Sequence, residues 1–318
     1  MLSATLHTVA EFIEHSFLEN LAVRSDNSIL VTSLNAKQLW FVPASDDNAQ
    51  VEPILLHTYD HPVTAVVETE PDVFHVALTD GYATHESHLS RVELRGWAPG
   101  ETEPKIETVL TFDDRVRALN GGCLIAPTVL LLADCFGGFI WRVDLPARGI
   151  PSARIWLAHD SMKHDPLSDM KPPQPGVNGV RYAAVTNQLY YTSTAQKLFM
   201  RVDVDPETHE PLGEPEQVGG GTMADDFCID EDAGVAYVTT HRENTIDRIP
   251  LNGYPDQPSH TVVGDPLDMQ LLGPSSIAWG RRFGEYGRIA YVTSDGGTTA
   301  PPPDGKVRTA KVLRLVLE

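Results

Sequence analysis

Cysteine is scarce in this sequence: Cys123, Cys135 and Cys228 are the only three in 318 residues. Their odd number and the lack of CxxC spacing exclude a cysteine-only zinc site and a dense disulfide framework. Three buried thiols in a reducing compartment are expected, which points to a cytoplasmic protein. Positive charge is also short: 24 Lys and Arg stand against 44 Asp and Glu, a formal net charge of −20. Phosphates are repelled at long range by such a chain, so nucleic acid and anionic membrane surfaces are not expected partners. No apolar run approaches the roughly 18 residues of a membrane span. The opening MLSATLHTVAEFIEHSF lacks the basic start, apolar core and small-residue cleavage site of a secretion signal. GxSxG elbow, phosphate loop and dinucleotide fingerprint are all missing, as is any long helical periodicity.

What is present is a repeat of short apolar strands. Each unit has an inner strand, then a stronger strand ending in Thr, Ser or Asp, then Arg–Val–Asp-like alternation, then a more polar strand. The third unit, for example, reads GGCLIAP, VLLLADC, FIWRVDL and ARIWLAH. Six such units recur at a spacing of roughly 45–60 residues, which suits four-stranded blades. The sixth, SSIAWGR, RIAYVTSD and KVLRLVL, is one strand short, and TLHTVAEFI before the first unit supplies the spare. Completing the last blade in this way removes two exposed sheet edges. The prediction is an all-β, six-bladed β-propeller, one domain over 1–318, closed by its N-terminal strand. Two insertions, AHDSMKHDPLSDMKPPQPG at Ala158–Gly176 and SDGGTTAPPPDGKVR at Ser294–Arg308, are expected to form lids over one end.

The starts of the inner strands carry polar residues: Glu19 and Asn20, Asn120, Asn178, Asp225 and Asp226, Ser275 and Ser276. A propeller brings such starts together. Converging carboxylate and amide oxygens suit a hard divalent cation, and the same residue types also cap turns and strand starts. His85 and His88 read as a solvated loop. Tyr190, Tyr191, Trp40, Trp141, Trp156 and Trp279 read as packing between blades.

The motifs ENLAV, RALNGG, VNGV and DDFCID, together with the repeat, resemble the SMP-30/gluconolactonase/luciferin-regenerating-enzyme superfamily over essentially the whole chain. The resemblance implies that Glu19, Asn120, Asn178 and Asp225 bind a divalent metal (Ca, Mg, Mn or Zn) that assists lactone hydrolysis. The chain departs from that pattern at Asp225–Asp226, where the family usually reads Asp–Gly, and at Glu19–Asn20, where lactonases favour Glu–Gly–Pro. The opening FLENLAVR is similar to a fungal branch whose members serve natural-product pathways. Some of these are hetero-Diels–Alderases, pericyclases that join an ortho-quinone methide to a terpene alkene in making meroterpenoids such as tropolone sesquiterpenoids. That resemblance implies a pocket enzyme of secondary-metabolite biosynthesis acting on a polyketide-derived quinone methide and a terpene, with no cofactor required. Asn20, Asn120, Asn178, Ser275 and Ser276 would donate hydrogen bonds, and Glu19, Asp225 or a lid histidine would assist loss of water. Phe17, Phe136, Met162 and Phe227 would wall the substrate, with His159, His164 and His241 facing it. Cycloaddition is the leading expectation, metal-dependent lactone hydrolysis the alternative, and a non-catalytic binding scaffold the third.

Overall fold

The computed structural model describes residues 4–45, 49–81, 83–165 and 173–318. Strand β1 (Ala4–Glu14) precedes the first blade, formed by β2 (Leu18–Val23), β3 (Ile29–Ser33), β4 (Gln38–Val42) and β5 (Ile54–Thr58). Blade 2 holds β6 (Val63–Glu70), β7 (Val73–Thr79), β8 (Ser87–Glu93) and β9 (Lys105–Thr111). Blade 3 holds β10 (Leu119–Ala126), β11 (Val129–Asp134), β12 (Phe139–Asp144) and β13 (Ser152–Ala158). Blade 4 holds β14 (Val177–Ala183), β15 (Gln188–Ser193), β16 (Leu198–Val204) and β17 (Pro211–Gly220). Blade 5 holds β18 (Ala224–Asp230), β19 (Val235–Thr240), β20 (Thr245–Pro250) and β21 (His260–Gly264). Blade 6 holds β22 (Pro274–Trp279), β23 (Ile289–Ser294) and β24 (Thr309–Leu317), and β1 is its fourth strand. Six four-stranded antiparallel sheets of this order make the fold class a six-bladed β-propeller, as the repeat predicts.

By compactness the chain divides into two units. One comprises Met1–Asp60 and Val218–Glu318, and so holds blades 5, 6 and 1; the other, His61–Gln217, holds blades 2, 3 and 4. Burial falls from the inner to the outer strands of each blade. The second strands β3, β7, β11, β19 and β23 are buried at every residue, whereas β9 reaches solvent along its whole length. A strand covered on both faces needs an unbroken apolar run, and VLLLAD supplies one. In the first unit one apolar cluster joins blades 6 and 1, through Val9, Phe12, Leu21, Val31 and Tyr291. In the second unit another joins blades 3 and 4, through Leu131, Trp156, Val180 and Tyr191. All three cysteines are buried thiols, as expected.

The closing strand is seen directly. β1 pairs antiparallel with β24 from Ala4↔Leu317 to Glu14↔Thr309. Its inward residues Val9, Ala10 and Phe12 are at most 6% exposed, while Glu11, Ile13 and Glu14 face out. None of the helices among the described residues is long and apolar enough to cross a membrane.

One irregularity recurs in every blade. The pairing of the first and second strands slips at Leu18/Leu21, Val63/Val66, Leu119/Gly122, Val177/Val180, Ala224/Phe227 and Pro274/Ser276. These are β-bulges, which re-aim the side chains they carry. The first bulge residue is Glu19, Thr64, Asn120, Asn178, Asp225 or Ser275, in blades 1 to 6; the second, in blades 1 to 5, is Asn20, Ala65, Gly121, Gly179 or Asp226, while Ser276 of blade 6 pairs with Thr293. A bulge also loosens backbone groups from the ladder. In four blades a threonine of the second strand takes one of them up: Thr32 Oγ1 accepts from Asn20 N (2.9 Å), Thr192 from Gly179 N (2.9 Å), Thr239 from Asp226 N (3.1 Å) and Thr293 from Ser276 N (3.1 Å). Blades 2 and 3 carry Ala77 and Ala133 at the corresponding place.

Candidate functional site

The polar residues singled out from the sequence are thus the bulge residues, and each unit arranges its own set. In the first unit Glu19, Asn20, Asp225, Asp226, Ser275 and Ser276 are all buried, at most 7% exposed. They form two tiers. Ser276 reaches the second bulge residues of blades 5 and 1: its Oγ lies 2.5 Å from Asp226 Oδ2 and 3.4 Å from Asn20 Oδ1. A serine has one hydroxyl hydrogen, so the short bond to the carboxylate claims it. Ser276 therefore holds Asp226 by one of its carboxylate oxygens. Of the first bulge residues, Ser275 gives its hydroxyl to the Leu18 carbonyl at 2.6 Å. Glu19 and Asp225 put their charge on His241.

His241 follows β19, and Asp295 follows β23 at the equivalent place of the next blade. His241 Nε2 lies 3.2 Å from Asp295 Oδ2, with both side chains buried. Burial opposes charge on the imidazole, but the Asp295 carboxylate and its hydrogen bond, then Asp225 and Glu19, outweigh it and raise the pKa to about 9. Burial likewise opposes the Asp295 charge, and His241 together with the amides of Gly297 and Thr299 holds its carboxyl below the usual range. Asp295 Oδ1 accepts from Gly297 N (2.7 Å), and Oδ2 from Thr299 N (3.1 Å). The second insertion thereby winds around Asp295. Gly273 explains its own identity there: at φ +61° a Cβ would stand 1.9 Å from Asp295 Oδ1. Phe17 lies beside the pair, its ring 5.4 Å from that of His241. Phe227 is fully buried and presents no surface to solvent-sized space.

In the second unit Asn120 and Asn178 are buried at their bulges. The glycine that follows Asn120 has a steric cause. A Cβ on Gly121 would sit 2.6 Å from the Asn178 carbonyl oxygen, so blades 3 and 4 approach too closely for a second side chain. Asn178 Nδ2 donates to Thr194 Oγ1 at 3.0 Å, which fixes the amide orientation. Asn120 Oδ1 is sealed from solvent with no hydrogen-bond partner among the described residues. The described start of the first insertion folds onto its blade. Met162 is fully buried in the core of blades 3 and 4, and Gln196 Nε2 donates to the carbonyls of Asp160 (2.7 Å) and Lys163 (2.8 Å). Residues 166–172, where the rest of the expected lid falls, lie outside the described residues. His159 caps the short 3-10 turn Asp160–Met162. Its Nδ1 accepts from Ser161 N (3.2 Å), and the Ser161 hydroxyl, 2.8 Å from that nitrogen, is 2.6 Å from Tyr191 Oη. His164 meets Phe136 edge-on, ring centroids 5.3 Å apart.

The sequence reading missed Asp295, Thr64 and Thr194. Aligning the units on their second strands reveals two of them: the residue after each strand's Ser/Thr end is Thr194 in blade 4, His241 in blade 5 and Asp295 in blade 6.

No protein-family model matches the chain, and no curated protein matches it by sequence. Solved structures do match its fold. A luciferin-regenerating enzyme is similar at 15% identity and a TM-score of 0.68, over 99% of this chain and 95% of that one. Regucalcin, a calcium-binding protein from Agrobacterium tumefaciens, is similar at 14% and 0.64, over 98% and 96%. A gluconolactonase from Xanthomonas campestris is similar at 11% and 0.64, over 99% and 90%. The likeness is one of fold.

Proposed function

We propose that the chain is an enzyme that activates a carbonyl oxygen of a small organic molecule, and that its reaction is the cation-assisted hydrolysis of a lactone. The observation carrying this reading is the bulge alignment: the first bulge positions of blades 1, 3, 4 and 5 hold Glu19, Asn120, Asn178 and Asp225. All are oxygen donors, the set that Ca²⁺, Mg²⁺ or Mn²⁺ prefers. In the first unit Glu19 and Asp225 are the candidate anionic ligands. In the second, Asn120 and Asn178 are the candidate amide-oxygen ligands. Leaving an amide oxygen buried without a partner costs about 1–3 kcal/mol, and a cation at Asn120 Oδ1 offsets that cost. A bound divalent cation supplies Lewis acidity toward a carbonyl. The chain's own residues supply the rest. Glu19 or Asp225 takes the proton of the attacking water. His241, its Nε2 committed to Asp295, offers Nδ1–H to oxygen that gains charge.

A second reading is the hetero-Diels–Alder cycloaddition of an ortho-quinone methide with a terpene alkene in fungal meroterpenoid biosynthesis. It is favoured by the Phe17 ring beside His241, an apolar wall next to a buried proton donor. Cycloaddition needs partners held in near-attack geometry and a donor on the carbonyl, with no nucleophile. Purified protein offered lactones, and separately a quinone-methide precursor with a terpene alkene, each with and without EDTA, decides between them. Lactone hydrolysis abolished by chelation supports the first reading. Adduct formation indifferent to chelation, with lactones untouched, overturns it in favour of the second.

A further inference from the structure

Away from the bulge residues, one end of blade 2 gathers three side chains of a different chemistry. His61 lies two residues before β6, and Glu86 and His88 flank the first residue of β8. Pairing brings them together. Val63 of β6 and His88 of β8 both pair with Leu78 of β7, so both approaches converge on the end of that strand. One ligand atom from each of His61, Glu86 and His88 lies within 4.8 Å of the others. His61 Nε2 is 3.7 Å from Glu86 Oε2, and the two imidazole centroids are 5.0 Å apart.

His88 is also oriented from behind. β9 places Thr111 opposite His88, and Thr111 Oγ1 lies 3.1 Å from His88 Nδ1. With Nδ1–H donating to that hydroxyl, the lone pair belongs to Nε2. An outer hydrogen bond that fixes tautomer and ring angle is the usual support of a metal-bound histidine.

The geometry points to a divalent transition-metal site at His61, Glu86 and His88, with zinc the ion it fits first. An exposed ion pair contributes at most about 1 kcal/mol and needs one histidine, not two against a single carboxylate. Two imidazoles and a carboxylate are instead the three-ligand set of open zinc sites, whose fourth position takes water or a substrate oxygen. Zinc–ligand bonds of about 2.0–2.1 Å set tetrahedral ligand atoms roughly 3.3 Å apart. The His61–Glu86 distance is already close to that. Glu86, whose side chain is 62% exposed, is free to rotate toward the two imidazoles and leaves an entry path for the ion. This site differs in kind from the oxygen-only bulge set, since imidazole nitrogen selects zinc, cobalt or nickel over calcium and magnesium.

The test uses the full chain stripped with EDTA and dialysed. Cobalt(II) absorption and zinc titration against a chromophoric chelator read the site directly, without an activity assay. One zinc per chain is expected, lost by at least about 100-fold in affinity in His61→Ala and His88→Gln, and weakened roughly 10-fold in Thr111→Val. Glu19→Gln leaves zinc affinity at this site unchanged. Circular dichroism of each variant establishes that it is folded, and two histidine variants guard against one failing to fold. Zinc binding that survives in folded His61→Ala and His88→Gln, or wild-type protein that takes up no zinc or cobalt, overturns the assignment.

Discussion

Thr239→Val tests the logic of the bulges with one atom. Valine has nearly the shape of threonine, so the substitution exchanges a hydroxyl for a methyl. Thr239 is fully buried, and its Oγ1 accepts from Asp226 N at 3.1 Å while lying 3.0 Å from the Asp226 carbonyl and 3.2 Å from that of Ser275. Valine leaves the Asp226 N–H buried without its acceptor, a loss of about 1–3 kcal/mol. The new methyl recovers little, because its neighbours there are backbone polar atoms. The same change at Thr32, Thr192 or Thr293, all fully buried, removes an equivalent acceptor, so the four variants form a series. Each is expected to lower the unfolding free energy by about 1–3 kcal/mol. Urea unfolding followed by tryptophan fluorescence and circular dichroism reads this as a lower midpoint at unchanged slope, provided the two probes coincide. Four variants within about 0.5 kcal/mol of the parent, the range of ordinary surface changes, would show that the bulge amides do not depend on these hydroxyls.

Three further outcomes are expected. The His241–Asp295 pair makes stability depend on pH with a definite sign. Because the folded His241 pKa of about 9 lies above the unfolded 6.5, its contribution is complete below 6.5 and is lost as pH rises toward 9. At 1.36 kcal/mol per pH unit that is roughly 3 kcal/mol, counted once for the pair; His241→Asn flattens the slope between those values in pH-resolved urea melts, and an unchanged slope refutes the assignment. Phe12→Ala empties a site on the closing strand that is 6% exposed and meets Trp40 edge-on at 5.5 Å, for a loss of about 3–5 kcal/mol by the same melts. Glu19→Gln removes one anionic ligand candidate; terbium luminescence titration should show affinity for the hard cation falling by at least about 10-fold, or 1.4 kcal/mol.

The blades were legible because each second strand, covered on both faces, must read as an apolar run such as VLLLAD or VAYVTT. The closing strand was legible by arithmetic, one unit being a strand short. The bulge residues stood out because Glu19, Asn120 or Asp225 in a buried inner strand is costly unless held. Thr64 did not stand out, since a β-branched residue in VTAVVET is ordinary strand composition. Asp295 was hidden because it reads as the first residue of a Gly- and Pro-rich loop. Its meaning comes from His241, one blade and 54 residues away. Met162 sits in the polar run HDSMKHD, and only packing reveals that it belongs to the core. His88 reads alone as a loop histidine, and only strand register brings it to His61.

The pairing of β1 with β24 also fixes how the protein answers to force. Ala4 faces Leu317, so handles attached near the two ends of the chain would pull on neighbouring points at one end of the same ladder. Tension then opens that ladder like a zipper, loading its hydrogen bonds one after another, where a sheared pair of strands would load them all at once. The seam that completes blade 6 is therefore expected to yield first and at low force, and the inward faces of Val9 and Phe12 would be the first buried surface to meet water.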